Sequence, residues 1–216
     1  MSIQQTEFMR FIKLLNDNDV LKDVIVIGSW AEFLYKECRL LPGFEANIKT
    51  LDIDFLLKNL RRPNPPKNVA TLAKESGYIV QQDIMDGTTK ILDKKGLEIE
   101  FLINKIGAGT EETMKSNLGV TAQAFRHMNI LTDNAINVNY VGFNITVPKP
   151  EAYAIHKMVI NKDRKNKQEK DQQAVINIYP FLSQEQFNAI ANKLTKKELK
   201  AVNDFIADNK LLTQNK

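Results

Sequence analysis

An α+β fold is predicted, a mixed β-sheet flanked by helices and followed by a C-terminal helical subdomain. Three observations predict it. Short apolar runs bounded by glycine and proline recur as far as Pro148. From Glu151 onward the apolar spacing is helical almost to the end. Strands first and helices afterwards is the α+β order. The change of pattern divides the chain into an α/β part, 1–148, and a helical part, 149–216.

Each element has a local reason. Phe8, Phe11, Ile12 and Leu15 share one helical face, which predicts a helix over 4–18. Val24 to Ile27 is a short apolar run ended by Gly28, a buried strand entering a tight turn. Ser29 is positioned to cap a helix running to about Arg39, before Pro42-Gly43 breaks the pattern. A second strand is expected over 50–57. Residues 61–66 read as loop because three prolines exclude regular structure. A helix near 67–76 stops at Gly77. Strands are expected at 78–84, 88–93 and 97–103, separated by Asp86-Gly87 and Lys95-Gly96 turns. Residues 107–120 read as loop with some helix, and 136–147 as a hairpin around Gly142. Four helices are expected at 150–163, 167–181, 183–193 and 195–209. The last two begin with capping-box spacings, Ser183 with Gln186 and Thr195 with Glu198.

Composition narrows the class. Of the 216 residues 43% are hydrophobic and 26% charged, the balance of an ordinary soluble globular protein. No apolar run is long enough to span a membrane. The first residues lack the basic lead, apolar centre and small-residue cleavage site of a secretory signal. The single cysteine, Cys38, excludes an internal disulfide, and with only two histidines a Cys/His zinc site is close to excluded. These features predict a cytoplasmic protein. The net charge of +4 is unevenly placed, since residues 157–216 carry 12 basic and 7 acidic side chains. A basic face is usually just solvated, but it also suits a phosphate-bearing partner.

Asp52 and Asp54 carry the functional argument. They lie in Thr50-Leu51-Asp52-Ile53-Asp54-Phe55, and residues two apart on a strand point to the same face. Two adjacent carboxylates repel unless something offsets their charge, and a hard divalent cation does so with carboxylate and phosphate oxygens. Taken alone, the pair equally describes an exposed strand face whose acids meet lysines. Two further features change the balance. Gly28-Ser29 follows a buried strand and opens a helix, offering backbone N–H groups to a phosphate. Glu98 and Glu100 again share one face of a later strand. A phosphate turn, a carboxylate pair and a third carboxylate are the parts of two-metal phosphoryl chemistry.

Gly28-Ser29-Trp30, Thr50 to Phe55 and Ile99-Glu100-Phe101 together resemble the signature of the polymerase-β-like nucleotidyltransferase superfamily. The stretch from Val147 through Glu151, His156-Lys157, Arg164 and Lys170-Asp171 resembles the helical half of bacterial members, including toxins of abortive-infection toxin–antitoxin pairs. The resemblance covers about residues 24–176. Compact relatives hold the Gly-Ser turn nearer the acid pair. The spacing here matches a longer-looped subgroup, and residues 40–49 have no counterpart.

The resemblance implies transfer of a nucleoside monophosphate from a nucleoside triphosphate, ATP among them, to a hydroxyl on a protein, RNA or small molecule. It implies magnesium (or manganese) held by Asp52, Asp54 and Glu100, with Glu100 preferred to Glu98 because it precedes an apolar pair. It assigns Gly28, Ser29, Lys157, Arg164 and Lys170 to the nucleotide, with Asp171 contributing or orienting Lys157 and Arg164. An antitoxin protein is an implied partner. A non-catalytic member that binds nucleotide or a partner protein is the alternative. Nucleic-acid binding by the basic helices is a further reading, but few aromatics interleave residues 157–170. His156 and Cys38 read as structural, Trp30 as core, and His127 is unassigned. Gly107 to Thr110 reads as a turn, because it lacks the Lys-Ser/Thr of a Walker motif.

Overall fold

The computed structural model describes residues 2–46, 52–105, 107, 109, 112–164 and 166–211. Thr50, Leu51, Ala108, Thr110 and Lys165 lie outside the described residues. Helix α1 (Ile3–Asp17) starts at a Ser2/Gln5 capping box and buries Phe8, Phe11, Ile12 and Leu15, the face read from the sequence. Strand β1 (Val24–Val26) leads through extended Ile27 into α2 (Gly28–Glu37). Strand β2 (Asp52–Leu57) is followed by α3 (Val69–Glu75), then β3 (Ile79–Gln82), β4 (Thr89–Leu92) and β5 (Glu98–Asn104). Next come β6 (Thr113–Lys115), β7 (Thr121–Phe125) and a single turn, α4 (Asn129–Thr132). The hairpin β8 (Ala135–Tyr140) and β9 (Phe143–Pro148) ends the α/β part. Helices α5 (Pro150–Ile160), α6 (Gln168–Ile178), α7 (Gln184–Ala191) and α8 (Lys196–Asp208) make up the rest.

The main sheet has the order β1-β2-β5-β4-β3, with β7 beside the far end of β5 and β6 beyond it. Pairs β2–β5 and β5–β7 are parallel, and β1–β2, β3–β4 and β4–β5 antiparallel. This is the mixed sheet with flanking helices that the sequence predicts.

Alternation along β2 and β5 builds the two faces. Ile53, Phe55, Ile99 and Phe101 enter the main core with Phe11, Trp30 and Leu34. The other face reads Asp52, Asp54, Leu56 on β2 and Glu98, Glu100, Leu102 on β5. Its far end is apolar and packs Leu56 and Leu102 with Ile25, Ile27, Met128 and Leu131. That leaves the acids at the near end of the same face.

Three local readings need correction. Ser29 is not a cap: α2 begins at Gly28, with Ile27 in the cap position and no side-chain cap bond. Residues 113–115 form a strand within the stretch 107–120 that reads as loop with some helix, because they pair with Thr121 to Gln123. Strand β7 was not anticipated, since its buried residues, Ala122 and Ala124, are too small to mark an apolar period.

Candidate active site

The register of the parallel pair sets Asp52 opposite Glu98 and Asp54 opposite Glu100. All four carboxylates lie at half-buried positions of one sheet face. Lys90 on β4 faces Glu100, and its ammonium lies 2.6 Å from Glu98, 3.3 Å from Glu100 and 3.9 Å from Asp83. The Glu98 bond, opposed by partial burial, raises the Lys90 pKa further. Burial pushes the Glu100 carboxyl up, Asp54 adds to the rise, and Lys90 opposes it. Asp54 is also raised by burial, with Asp52 adding to the rise and Lys167, Arg164 and Lys157 opposing it.

Gly28 is required where it stands. Its φ is +65°, and a Cβ there would come within 2.9 Å of Asp54 Oδ2. The uncapped N–H groups at the start of α2, with the positive end of its dipole, therefore abut Asp54. The Ile27 amide donates to the Asp54 carbonyl at 3.1 Å, tying the turn to the strand. Ser29 follows in the first turn at a half-buried position.

Helix α5 and the start of α6 form the opposite wall. A cleft of about 140 Å³ is bounded by Gly28, Asp54 and Glu100 on one side and by Lys157, Arg164 and Lys167 on the other. Asp171, 2% exposed, binds Lys157 Nζ through one oxygen and Arg164 Nε through the other at 3.2 Å. Burial pushes the Asp171 carboxyl up, but the two cations outweigh it and hold it below its ordinary value. Tyr153 donates its hydroxyl to Glu32, and Lys157 Nζ sits 5.1 Å from the Tyr153 ring centroid. Asp171 therefore positions the cations rather than pointing freely into the cleft.

Lys170 is exposed, does not line this cleft, and acts electrostatically on Glu32 instead. Lys167 takes the place expected of it and is the strongest charge influence on Asp54. The seven-residue spacing of Lys157, Arg164 and Asp171 hid Lys167. The chain leaves the helix after Asp163, and Lys167, just before α6, comes to line the cleft. His156 also lines the cleft; burial pushes its pKa down to about 3, and among the described residues its Nε2 has no hydrogen-bond partner. Trp30 is core, stacked on Phe8 at 4.2 Å with its indole N–H on the Asp52 carbonyl. Cys38 is half-buried with a raised pKa, mainly from burial, unlike an activated nucleophile. His127 Nδ1 pairs with Glu198 at 2.7 Å.

The donor set can be tested against a divalent cation. Among the described residues no group of three His, Cys, Asp or Glu side chains converges on one ion. Asp52, Asp54 and Glu100 share a face but are not a closed triad. The Asp54–Glu100 pair still fits magnesium, which takes one or two carboxylates and fills its shell with phosphate oxygens and water. Two adjacent carboxyls with raised pKa are a local excess of negative charge that a cation relieves.

Residues 6–196 match the model of a family described as "Nucleotidyltransferase". No curated protein matches the chain. Solved structures share its fold, three of them as follows. An antigenic nucleotidyltransferase-like protein from Paracoccidioides brasiliensis is 14% identical, with a TM-score of 0.52, 91% of this chain covered and 85% of that one. The crystal structure of ANT(2")-Ia in complex with adenylyl-2"-tobramycin gives 14% identity, a TM-score of 0.52, and coverages of 93% and 98%. The solution structure of the antibiotic-resistance factor ANT(2'')-Ia gives 12%, 0.51, 96% and 94%. At these identities the likeness is one of fold. Among the described residues no helix is long and apolar enough to cross a membrane.

Proposed function

The chain belongs to the nucleotidyltransferase family, and from that premise we propose that it transfers a nucleoside monophosphate from a nucleoside triphosphate to a hydroxyl in the cleft between β2/β5 and α5/α6. One observation carries the proposal. Asp54 and Glu100 face Lys157, Arg164 and Lys167 across one cleft. A triphosphate with its divalent cation needs both signs of charge at that separation.

The roles follow from position. The start of α2 at Gly28 and Ser29 would receive phosphate oxygens through backbone N–H groups. Lys157 and Arg164, held by Asp171, would meet the β and γ oxygens, joined by Lys167. Asp54 and Glu100 would hold magnesium or manganese, with Asp52 on the same face for a second ion. When bound, the metal lowers the pKa of an attacking hydroxyl and offsets charge on the departing pyrophosphate. Glu100, its carboxyl already raised, would take the proton from the acceptor. The adenylyl product in the ANT(2")-Ia crystal structure supports ATP as one donor to try.

The test begins with binding, since it needs no acceptor. ATP titrated calorimetrically is expected to bind at least about tenfold tighter with magnesium than without. Asp54→Asn and Glu100→Gln should abolish that coupling. Lys157→Ala and Lys167→Ala should weaken ATP binding whether or not magnesium is present. An affinity indifferent to magnesium and to all four substitutions would sink the proposal. Pyrophosphate release over a set of hydroxyl acceptors then reads turnover.

A further inference from the structure

On the far side of Glu100 from the basic helices lies a second, larger cavity, of about 360 Å³. It shares Glu100, Leu102 and Phe125 with the cleft described above. A molecule seated there has Glu100 at its edge and the triphosphate cleft beyond. The volume is within the range of small-ligand sites.

Its charge is opposite to that of the cleft. Asp83 and Asp86 rise on the turn between β3 and β4, and with Glu100 they set three carboxylates around the cavity. Among the described residues Lys90 is the single cation in the lining, and its ammonium is drawn to Glu98 at 2.6 Å and Glu100 at 3.3 Å, with Asp83 farther off at 3.9 Å. Asp86 is fixed in place: its Oδ1 accepts the Thr88 amide at 2.8 Å and the Thr88 hydroxyl at 2.7 Å. Those two bonds hold its carboxyl below the ordinary range, so it is anionic at neutral pH. Asp83 Oδ1 likewise accepts the Met85 amide at 2.8 Å. Gln123, half-buried on β7, supplies an amide able to donate to and accept from hydroxyls. A concave surface of this kind focuses a negative potential.

We propose that this cavity is the acceptor subsite and that it takes a small polyhydroxylated amine, cationic at neutral pH, rather than a nucleic acid. The inference rests on the nucleotidyl-transfer reading and names the acceptor class for it. The amines lie against Asp83 and Asp86, and one hydroxyl points at Glu100. In the transfer, the hydroxyl oxygen forms a bond to the α-phosphorus. The bond from that phosphorus to the pyrophosphate oxygen breaks, and its electron pair leaves with pyrophosphate. The hydroxyl proton passes to Glu100. A polyanionic acceptor would bring its phosphates against like charge.

A matched pair of probes tests this. The glucosamine disaccharide and cellobiose share a β-1,4-linked glucose framework and differ in two amino groups. Titrated calorimetrically into the full chain at low salt, the diamine is expected to bind about tenfold tighter than cellobiose. Raising the salt to 0.5 M should erase most of the difference. Asp83→Asn and Asp86→Asn should each reduce it in low salt, and far-UV circular dichroism checks that they fold. Asparagine keeps an oxygen for the Met85 and Thr88 bonds, so the turn should persist. Equal binding of the two sugars, no binding of the diamine, or tighter binding of a single-stranded RNA pentamer would overturn the proposal. ATP titrated in parallel separates the two readings. If ATP binds with magnesium and the sugars do not discriminate, the acceptor assignment falls alone. If the diamine binds selectively and ATP does not, the nucleotide reading falls and the cavity keeps its charge selectivity.

Discussion

At the scale of single residues, His156 has the strongest consequence for stability. It is 6% exposed in a helix that also carries Lys157, and burial followed by Lys157 and Arg164 lowers its pKa from 6.5 to about 3. The native imidazole therefore stays neutral between those values while the unfolded one binds a proton. Stability should accordingly fall as pH drops from about 6.5 toward 3, by up to roughly 5 kcal/mol from this residue alone. Urea unfolding at pH 7 and pH 5 measures it. His156→Gln should lose much of that pH dependence, and an unchanged slope would show that the imidazole takes up its proton alike in the folded and unfolded chain. The carboxylates were legible in the sequence because a two-residue period on a strand determines facing. The special state of His156 was not, because burial is a property of the fold around it.

The elements α5 and α6 act as a clamp through Asp171, which reaches Lys157 on one and Arg164 at the bend between them. Lys157 is only 13% exposed at its side chain, so its orientation depends on that partner. Asp171→Asn should cost about 3 kcal/mol of stability, the usual consequence of breaking a partly buried pair. It should also raise the KM for the triphosphate more than it lowers kcat, since the cations lose their aim and Asp54 and Glu100 are untouched. Urea unfolding and steady-state pyrophosphate release separate the two effects. A variant with unchanged KM would mean that Lys157 and Arg164 do not need Asp171. The elements most visible in sequence were those with large apolar side chains at a clear period, such as α1, β2 and β5. Strand β7 escaped because Ala122 and Ala124 leave little contrast. Lys167 escaped because helical spacing says nothing about where a helix breaks.

At the scale of the whole molecule, the change from strands to helices after Pro148 is a boundary of pattern through which the core continues. Phe8, Trp30 and Tyr35 belong to the same buried cluster as Tyr153, Ile155, Val202 and Phe205. The Tyr35 hydroxyl donates to the Pro148 carbonyl at 2.8 Å, and its ring meets Tyr153 edge-on at 6.0 Å. The charged cleft lies at this junction, with acids from the sheet on one wall and basic side chains from the helices on the other, so its geometry depends on the junction staying closed. Folding should therefore be one cooperative event. Trp30, the single tryptophan, reports the first part by its fluorescence. Far-UV circular dichroism weighs the helices of the second. Urea curves from the two probes should overlay with one midpoint. A fluorescence change that precedes or trails the helical one would show that the parts unfold separately, and the opposition of charge across the cleft would then be adjustable by hinge motion rather than built in.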